Sequence, residues 1–219
     1  MGTLYVVGTP IGNLEDITLR ASRVLAKVAL VAAEDTRVTR RLLAHLKARV
    51  PLVSCNEHNW SARLSELLTA LKSGDVALVT DAGMPSVSDP GSEVVRQVAA
   101  AGHSVEVIPG PSAVTTALAV SGLPADTFLF LGFLPRRRVE RKKKLAAVAR
   151  VTDTLVIFEA PHRMRATLED LLSVLGDRQM AVCRELTKLH EEVKRVTISR
   201  GPRILRHTPR GICAGGGRL

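Results

Sequence analysis

Short apolar runs, each closed by a turn of small or polar residues, alternate along the chain with stretches whose apolar positions recur every three or four residues. The runs at 3–7, 29–33, 51–54, 76–80 and 104–108 read as buried strands, and the stretches 17–28, 38–47, 61–73 and 91–101 read as helices. The alternation continues with a helix at 113–120, a strand at 127–131, a basic helix at 138–151, a strand at 154–158, a helix at 164–175 and a strand at 179–184. Such a succession predicts an α/β fold: largely parallel sheets wrapped by helices, with ligands at the carboxyl ends of the strands. It divides into two α/β domains, 1–115 and 116–193, joined near 109–123. A tail at 194–219, basic and rich in Gly and Arg, has no amphipathic period and is expected to be loosely packed, without a closing strand.

With 219 residues, 46% of them hydrophobic, the chain can bury a substantial core. No apolar run approaches the ~18 to 20 residues needed to cross a bilayer, and no basic leader precedes one, so a cytoplasmic location is expected. Cys55, Cys183 and Cys213 are odd in number and far apart, which suggests neither a disulfide framework nor a zinc site. The six histidines show no paired ligand spacing, and no metal is expected. The net charge of +10 is unevenly placed. Seven of the 31 Lys and Arg and none of the 21 Asp and Glu lie in 194–219, which leaves 24 basic against 21 acidic side chains before it. Within that body the cations concentrate between Arg136 and Lys144, readable either as a solvated helix entry or as a phosphate-contacting loop.

Four segments at predicted strand ends are rich in Gly, Pro and small polar residues: 8–13, 81–91, 109–113 and 132–135. They let backbone approach a ligand closely, and Ser112-Ala113 opens a helix whose free N–H groups suit an anion. The first turn, Gly8-Thr9-Pro10-Ile11-Gly12-Asn13, satisfies neither the dinucleotide G-x-G-x-x-G nor the P-loop pattern, and no G-x-S-x-G elbow is present.

Taken together, Gly8-Thr9-Pro10-Ile11-Gly12-Asn13, Glu34-Asp35-Thr36-Arg37, Asp81-Ala82-Gly83-Met84-Pro85 with Ser88-Asp89-Pro90-Gly91, Pro109-Gly110-Pro111-Ser112-Ala113, Gly132-Phe133-Leu134-Pro135, Glu159-Ala160-Pro161-His162-Arg163 and Arg184-Glu185-Leu186-Thr187-Lys188 resemble the ribosomal RNA small subunit methyltransferase I family. That family is the cytidine 2′-O-methyltransferase branch of the tetrapyrrole methylase superfamily. The resemblance implies two α/β domains, an S-adenosylmethionine cleft between them, a homodimer, and small-subunit ribosomal RNA or the small subunit itself as substrate. Carried over by position, it implies cofactor contacts at Thr9, Pro10, Met84, Val87, Ser112 and Ala113, with Phe158 and Ala181 from the second domain. A ribose hydroxyl is a poor nucleophile, so a base or a positive group beside it helps. The candidates, at strand ends or in the shared motifs, are Asp35, Glu159 and Lys188, with Glu57, His162 and His190 behind them. Arg37 and Arg163 suit phosphate clamps, and Arg136, Arg137 and Arg138 suit RNA contacts. A small-molecule methylase using the same cleft and a non-catalytic RNA-binding module are the rival readings. The resemblance ends after Glu192-Val193, where the loss of all acids points either to a shifted reading frame or to an RNA-binding tail.

Overall fold

The computed structural model describes residues 2–88 and 91–201, together with the backbone of Ile212–Gly215. Asp89 and Pro90 of the expected ligand loop, and the tail at 202–211 and 216–219, lie outside the described residues. The chain forms two compact units, Met1–Ser112 and Ala113–Leu219.

The first unit runs β1 (Leu4–Val7), α1 (Leu19–Leu25), β2 (Leu30–Ala33), α2 (Thr36–His45), β3 (Leu52–Ser54), α3 (Trp60–Ser73), β4 (Val76–Val79), α4 (Ser92–Ala100) and β5 (Val105–Ile108). All five strands are parallel, in the order β3-β2-β4-β1-β5. Alternation along β4 explains why every residue of it is apolar. Ala77 and Val79 pack with Leu25, Leu42 and Leu43 of α1 and α2, whereas Val76 and Leu78 pack with Leu67, Leu71, Val94 and Val98 of α3 and α4. Helix starts follow from the polar residues that end the preceding segment. The Thr18 hydroxyl accepts from the Ala21 N–H at 3.0 Å, and the Asp35 carboxylate accepts from the Arg37 N–H at 2.8 Å.

The second unit runs α5 (Ala113–Ser121), β6 (Phe128–Phe133), α6 (Arg138–Ala147), β7 (Thr154–Phe158), α7 (Met164–Leu175), β8 (Gln179–Arg184), β9 (Glu192–Thr197) and β10 (Ile212–Gly215). Its sheet is mixed, in the order β6-β7-β10-β8-β9. Three expectations are corrected here. The tail does supply a strand: β10 lies antiparallel between β7 and β8, with Cys213 opposite both Ile157 and Val182. Buried Leu155–Ile157 and Met180–Cys183 offer peptide groups that cost free energy unless paired, and the short segment Ile212–Gly215 pairs them. The pattern also continues past Val193, because β9 pairs antiparallel with β8 as an edge strand, where Lys194 and Arg195 are tolerated. Finally, Gly132 and Phe133 are not a loop but the end of β6, beyond a register shift between Phe130 and Gly132.

A buried carboxylate ties the basic helix to the unit. The Asp170 side chain on α7 has no exposed surface and receives Arg138 Nε at 2.9 Å and Arg141 at 2.9 and 2.6 Å, with Lys142 Nζ at 3.7 Å. Arg141, itself almost fully buried, also donates to the carbonyls of Pro135 and Arg136. Much of the dense cationic run therefore has a structural partner. Among the described residues, no helix is long and apolar enough to cross a membrane.

Candidate active site at the carboxyl ends of the first sheet

Two features adjoin along the carboxyl edge of the first sheet. At the ends of β4, β1 and β5, the glycine-rich turns fold onto one another. Thr9 and Gly83 exchange backbone hydrogen bonds of 2.9 and 3.1 Å, and the buried Thr9 hydroxyl donates to the Thr80 carbonyl at 3.1 Å. Gly8 and Gly110 touch backbone to backbone: a Cβ on Gly110 would stand 2.8 Å from the Gly8 backbone, and one on Gly8 2.7 Å from that of Gly110. Gly83 adopts φ +85°, and Ser86 and Ser88 adopt φ 70° and 61°, positions that cost side-chain-bearing residues energy and concentrate at ligand loops. Met84 is half-buried above Gly8, and Val87 is exposed at the loop surface. This cradle of bare backbone with an exposed apolar side chain fits a donor such as S-adenosylmethionine, whose adenosyl and amino-acid parts need close backbone approach. Ser112 precedes Ala113, the first residue of α5. Of the expected contacts in the second unit, Phe158 ends β7 in edge-to-face contact with Phe130 and Phe133, and Ala181 is fully buried within β8.

At the ends of β3, β2 and β4 lies a cleft of about 610 Å³ lined by Glu34, Asp35, Glu57, Asp81 and Glu93, with Asn56, His58, Trp60 and Ser88 among its other walls. Its carboxylates are cross-braced. The Thr80 hydroxyl donates to Glu34 Oε2 at 2.5 Å, the Asp81 N–H donates to the same oxygen at 3.3 Å, and the Asp35 N–H donates to Asp81 Oδ1 at 3.1 Å. Arg37 grips the Asp35 carboxylate at 2.6 to 3.1 Å, and its hydrogen bonds hold that carboxyl down to about 2. Asp81 moves the other way, raised above the ordinary carboxylate range by partial burial and then by the charge of Glu34. One carboxylate is thus held as an anion, while desolvation and the like charge of Glu34 oppose ionisation of its neighbour.

Asp35 reaches this cleft; the other two catalytic candidates belong to the second unit. Glu159 is buried, accepting from the Ala160 N–H at 2.8 Å and the Thr167 hydroxyl at 2.6 Å while pairing with Arg163 at 3.2 Å. Arg163 in turn donates to the Leu134 and Pro135 carbonyls, so this pair holds the turn after β6. Lys188 is exposed and pairs with Glu185 at 3.3 Å. Arg136 is exposed, and Arg137 meets Glu140 at 3.5 Å on the surface. Glu57 lines the cleft as a wall residue. Glu34, Asp81 and Trp60 are site residues that sequence reasoning did not select. Among the described residues, no three His, Cys, Asp or Glu side chains are disposed to hold a metal ion.

The sequence of the chain matches the family model of the Tetrapyrrole (Corrin/Porphyrin) Methylases over residues 3–200. The chain is 48% identical over 200 residues to a ribosomal RNA small subunit methyltransferase I of Thermotoga maritima, covering 91% of this chain and 90% of the relative. It is likewise 48% identical over 200 residues to the protein of that name from Bacillus subtilis, covering 91% of this chain and 68% of the relative. The chain belongs to the tetrapyrrole methylase family, and within it to the group formed by these ribosomal RNA small subunit methyltransferase I proteins. Among solved structures, uroporphyrin-III C-methyltransferase from Thermus thermophilus complexed with S-adenosylhomocysteine is similar, with a TM-score of 0.71 and 25% identity over 98% of this chain and 97% of that one.

Proposed function

We propose that this protein transfers the methyl group of S-adenosylmethionine to a cytidine 2′-hydroxyl of small-subunit ribosomal RNA, with the donor in the Gly8/Gly83/Gly110 cradle and the acceptor nucleoside in the neighbouring acidic cleft. Its likeness to named ribosomal RNA methyltransferases supports the substrate class. The observation that carries the placement is that the Asp81–Ser88 loop contributes to both features: Gly83 and Met84 to the cradle, Asp81 and Ser88 to the cleft. A cytosine amine is a donor that carboxylates accept, and Trp60 offers a face for stacking. A polycarboxylate macrocycle of the uroporphyrin kind would be repelled by the same five carboxylates, which weighs against the small-molecule reading.

When bound, the donor supplies a methyl group on a sulfonium that becomes a neutral thioether. Asp81 accepts the proton that the ribose hydroxyl releases as its oxygen bonds the methyl carbon, and its raised pKa suits that task. Asp35, held as an anion by Arg37, positions the end of β2 and caps α2. Thr9, Pro10, Met84, Val87 and Ser112 would hold the donor, and that positioning would align its methyl carbon with the acceptor oxygen. We further propose a homodimer, the assembly that the family resemblance implies, and a cytoplasmic location, where the substrate is made.

Transfer of labelled methyl into small-subunit RNA tests the assignment. Asp81→Asn should lose roughly a hundredfold or more in turnover while keeping donor affinity. In the wild type, kcat/KM should rise with pH through the Asp81 pKa, since only the ionised carboxylate accepts the proton, and Asp35→Asn should retain that acid limb. An acid limb unchanged in a still active Asp81→Asn enzyme would remove Asp81 as the base.

A further inference from the structure

The densest cationic run in the sequence is largely neutralised within the fold. Arg138, Arg141 and Lys142 converge on Asp170, Lys144 donates to the Leu131 carbonyl, and Arg137 meets Glu140. Helix α2 and the turn after it are the opposite case. Residues 36–49 hold Arg37, Arg40, Arg41, Lys47 and Arg49 and no acid, although residues 1–112 as a whole carry 11 cations and 11 acids. Charge in this unit is therefore neutral in sum but uneven in space: five carboxylates line the cleft, and five of the 11 cations fall on α2 and the turn after it. At about 100° per residue, Arg37, Arg40 and Arg41 fall within roughly one quarter to one third of the helix circumference. Thr39, Leu42 and Leu43 fall opposite and are buried against the sheet. Arg40, Arg41, Lys47 and Arg49 are exposed and have no ion-pair partner among the described residues.

The helix also starts at the right place. Its N-cap Asp35 is a wall of the acidic cleft, so the ridge runs directly away from the proposed acceptor site. Side chains three and four apart on a helix stand about 5–6 Å from one another, which gives a strand of phosphates successive cationic contacts. We propose that the exposed face of α2, chiefly Arg40 and Arg41 with Arg37, Lys47 and Arg49 continuing it, is the track on which the phosphates of the RNA flanking the target nucleotide lie. This rests on the reading that the substrate is RNA. The division of labour is physical: phosphates bind the cationic ridge without regard to sequence, and the anionic cleft refuses phosphate and admits a base with its amine donors.

The test uses the full chain, transcribed small-subunit ribosomal RNA and binding titrations across 50 to 300 mM salt. R40E/R41E should weaken RNA binding at least tenfold near 100 mM salt and flatten the plot of log affinity against log salt by about 1.4, the loss of two single-strand phosphate contacts. R40Q/R41Q should give a smaller loss in the same direction, and S-adenosylmethionine affinity should be unchanged in both. R63E/K72E, the same charge change on α3 across the sheet, should retain most of the affinity and the slope. A wild-type slope in R40E/R41E, or an equal loss in R63E/K72E, would overturn the ridge. Wild-type protein that binds the RNA along this ridge but never methylates it would overturn the proposed function and leave the ridge standing. Wild-type protein with no affinity for the RNA would overturn both.

Discussion

Asp170→Ala is expected to destabilise the second unit by about 3–5 kcal/mol, because it leaves the almost fully buried Arg141 guanidinium without its counter-charge. Burial alone would push the Asp170 carboxyl up, but the hydrogen bonds from Arg138 and Arg141 outweigh it and hold the group below the ordinary carboxylate range. A lowered folded-state pKa means that this stabilisation is present above the unfolded value near 4 and is lost as pH falls through the folded one. The gap between wild type and variant should therefore be full at pH 7 and shrink below pH 4. Trp60 and Tyr5 lie in the first unit, so intrinsic fluorescence is a poor probe; hydrogen exchange across β7 and β8 reports the right region. A gap below 1 kcal/mol at pH 7, or one that persists unchanged into acid, would show that the cluster is not the fastening described.

Gly110→Ala should abolish most donor binding, by about thirtyfold or more. The added Cβ would stand 2.8 Å from three backbone atoms of Gly8, and backbone cannot step aside as the end of a side chain can. The first turn must shift, and with it the Thr9–Gly83 pair that shapes the cradle. A thirtyfold loss is about 2 kcal/mol. Gly102→Ala is the control. Unlike Gly110 it carries a positive φ, +82°, but nothing lies within 4 Å of the new Cβ, so it should cost some stability and leave donor affinity intact. Calorimetry with S-adenosylmethionine separates the two; equal affinity in Gly110→Ala and wild type would place the donor elsewhere.

The strands and helices of the first unit were legible because the β-runs are short and mainly apolar, β2 and β4 wholly so, and each helix is capped or punctuated by the residues that precede it. The Gly-rich turns were legible too, since close backbone approach leaves glycine no substitute. Strand order was not. Alternation says that β4 follows α3, not that it inserts between β2 and β1, and only that insertion brings Glu34 beside Asp81, 47 positions away. A motif marks Asp35 in the sequence, whereas nothing there marks Glu34 and Asp81 as its partners. Burial in the second unit was not legible either. Glu159 and Arg163 stand four apart in a motif, as a reactive pair might, yet the Glu159 side chain has no exposed surface and the pair fastens a turn. Arg138 reads as free cation until Asp170, a lone acid on an otherwise ordinary helix, is seen beneath it. The averaged composition of the tail hides its strand, because four residues, Ile212–Gly215, are enough to complete the sheet.

The proposed activity has one defining chemical outcome, a methyl group on ribose oxygen within the RNA. Small-subunit RNA from cells lacking this modification, incubated with the purified protein and S-adenosylmethionine, should be digested and its nucleosides read by mass spectrometry. The expected result is 2′-O-methylcytidine in the wild-type reaction, reduced at least a hundredfold with Asp81→Asn. RNA that gains no methyl group, or gains it only on a base, would contradict the account.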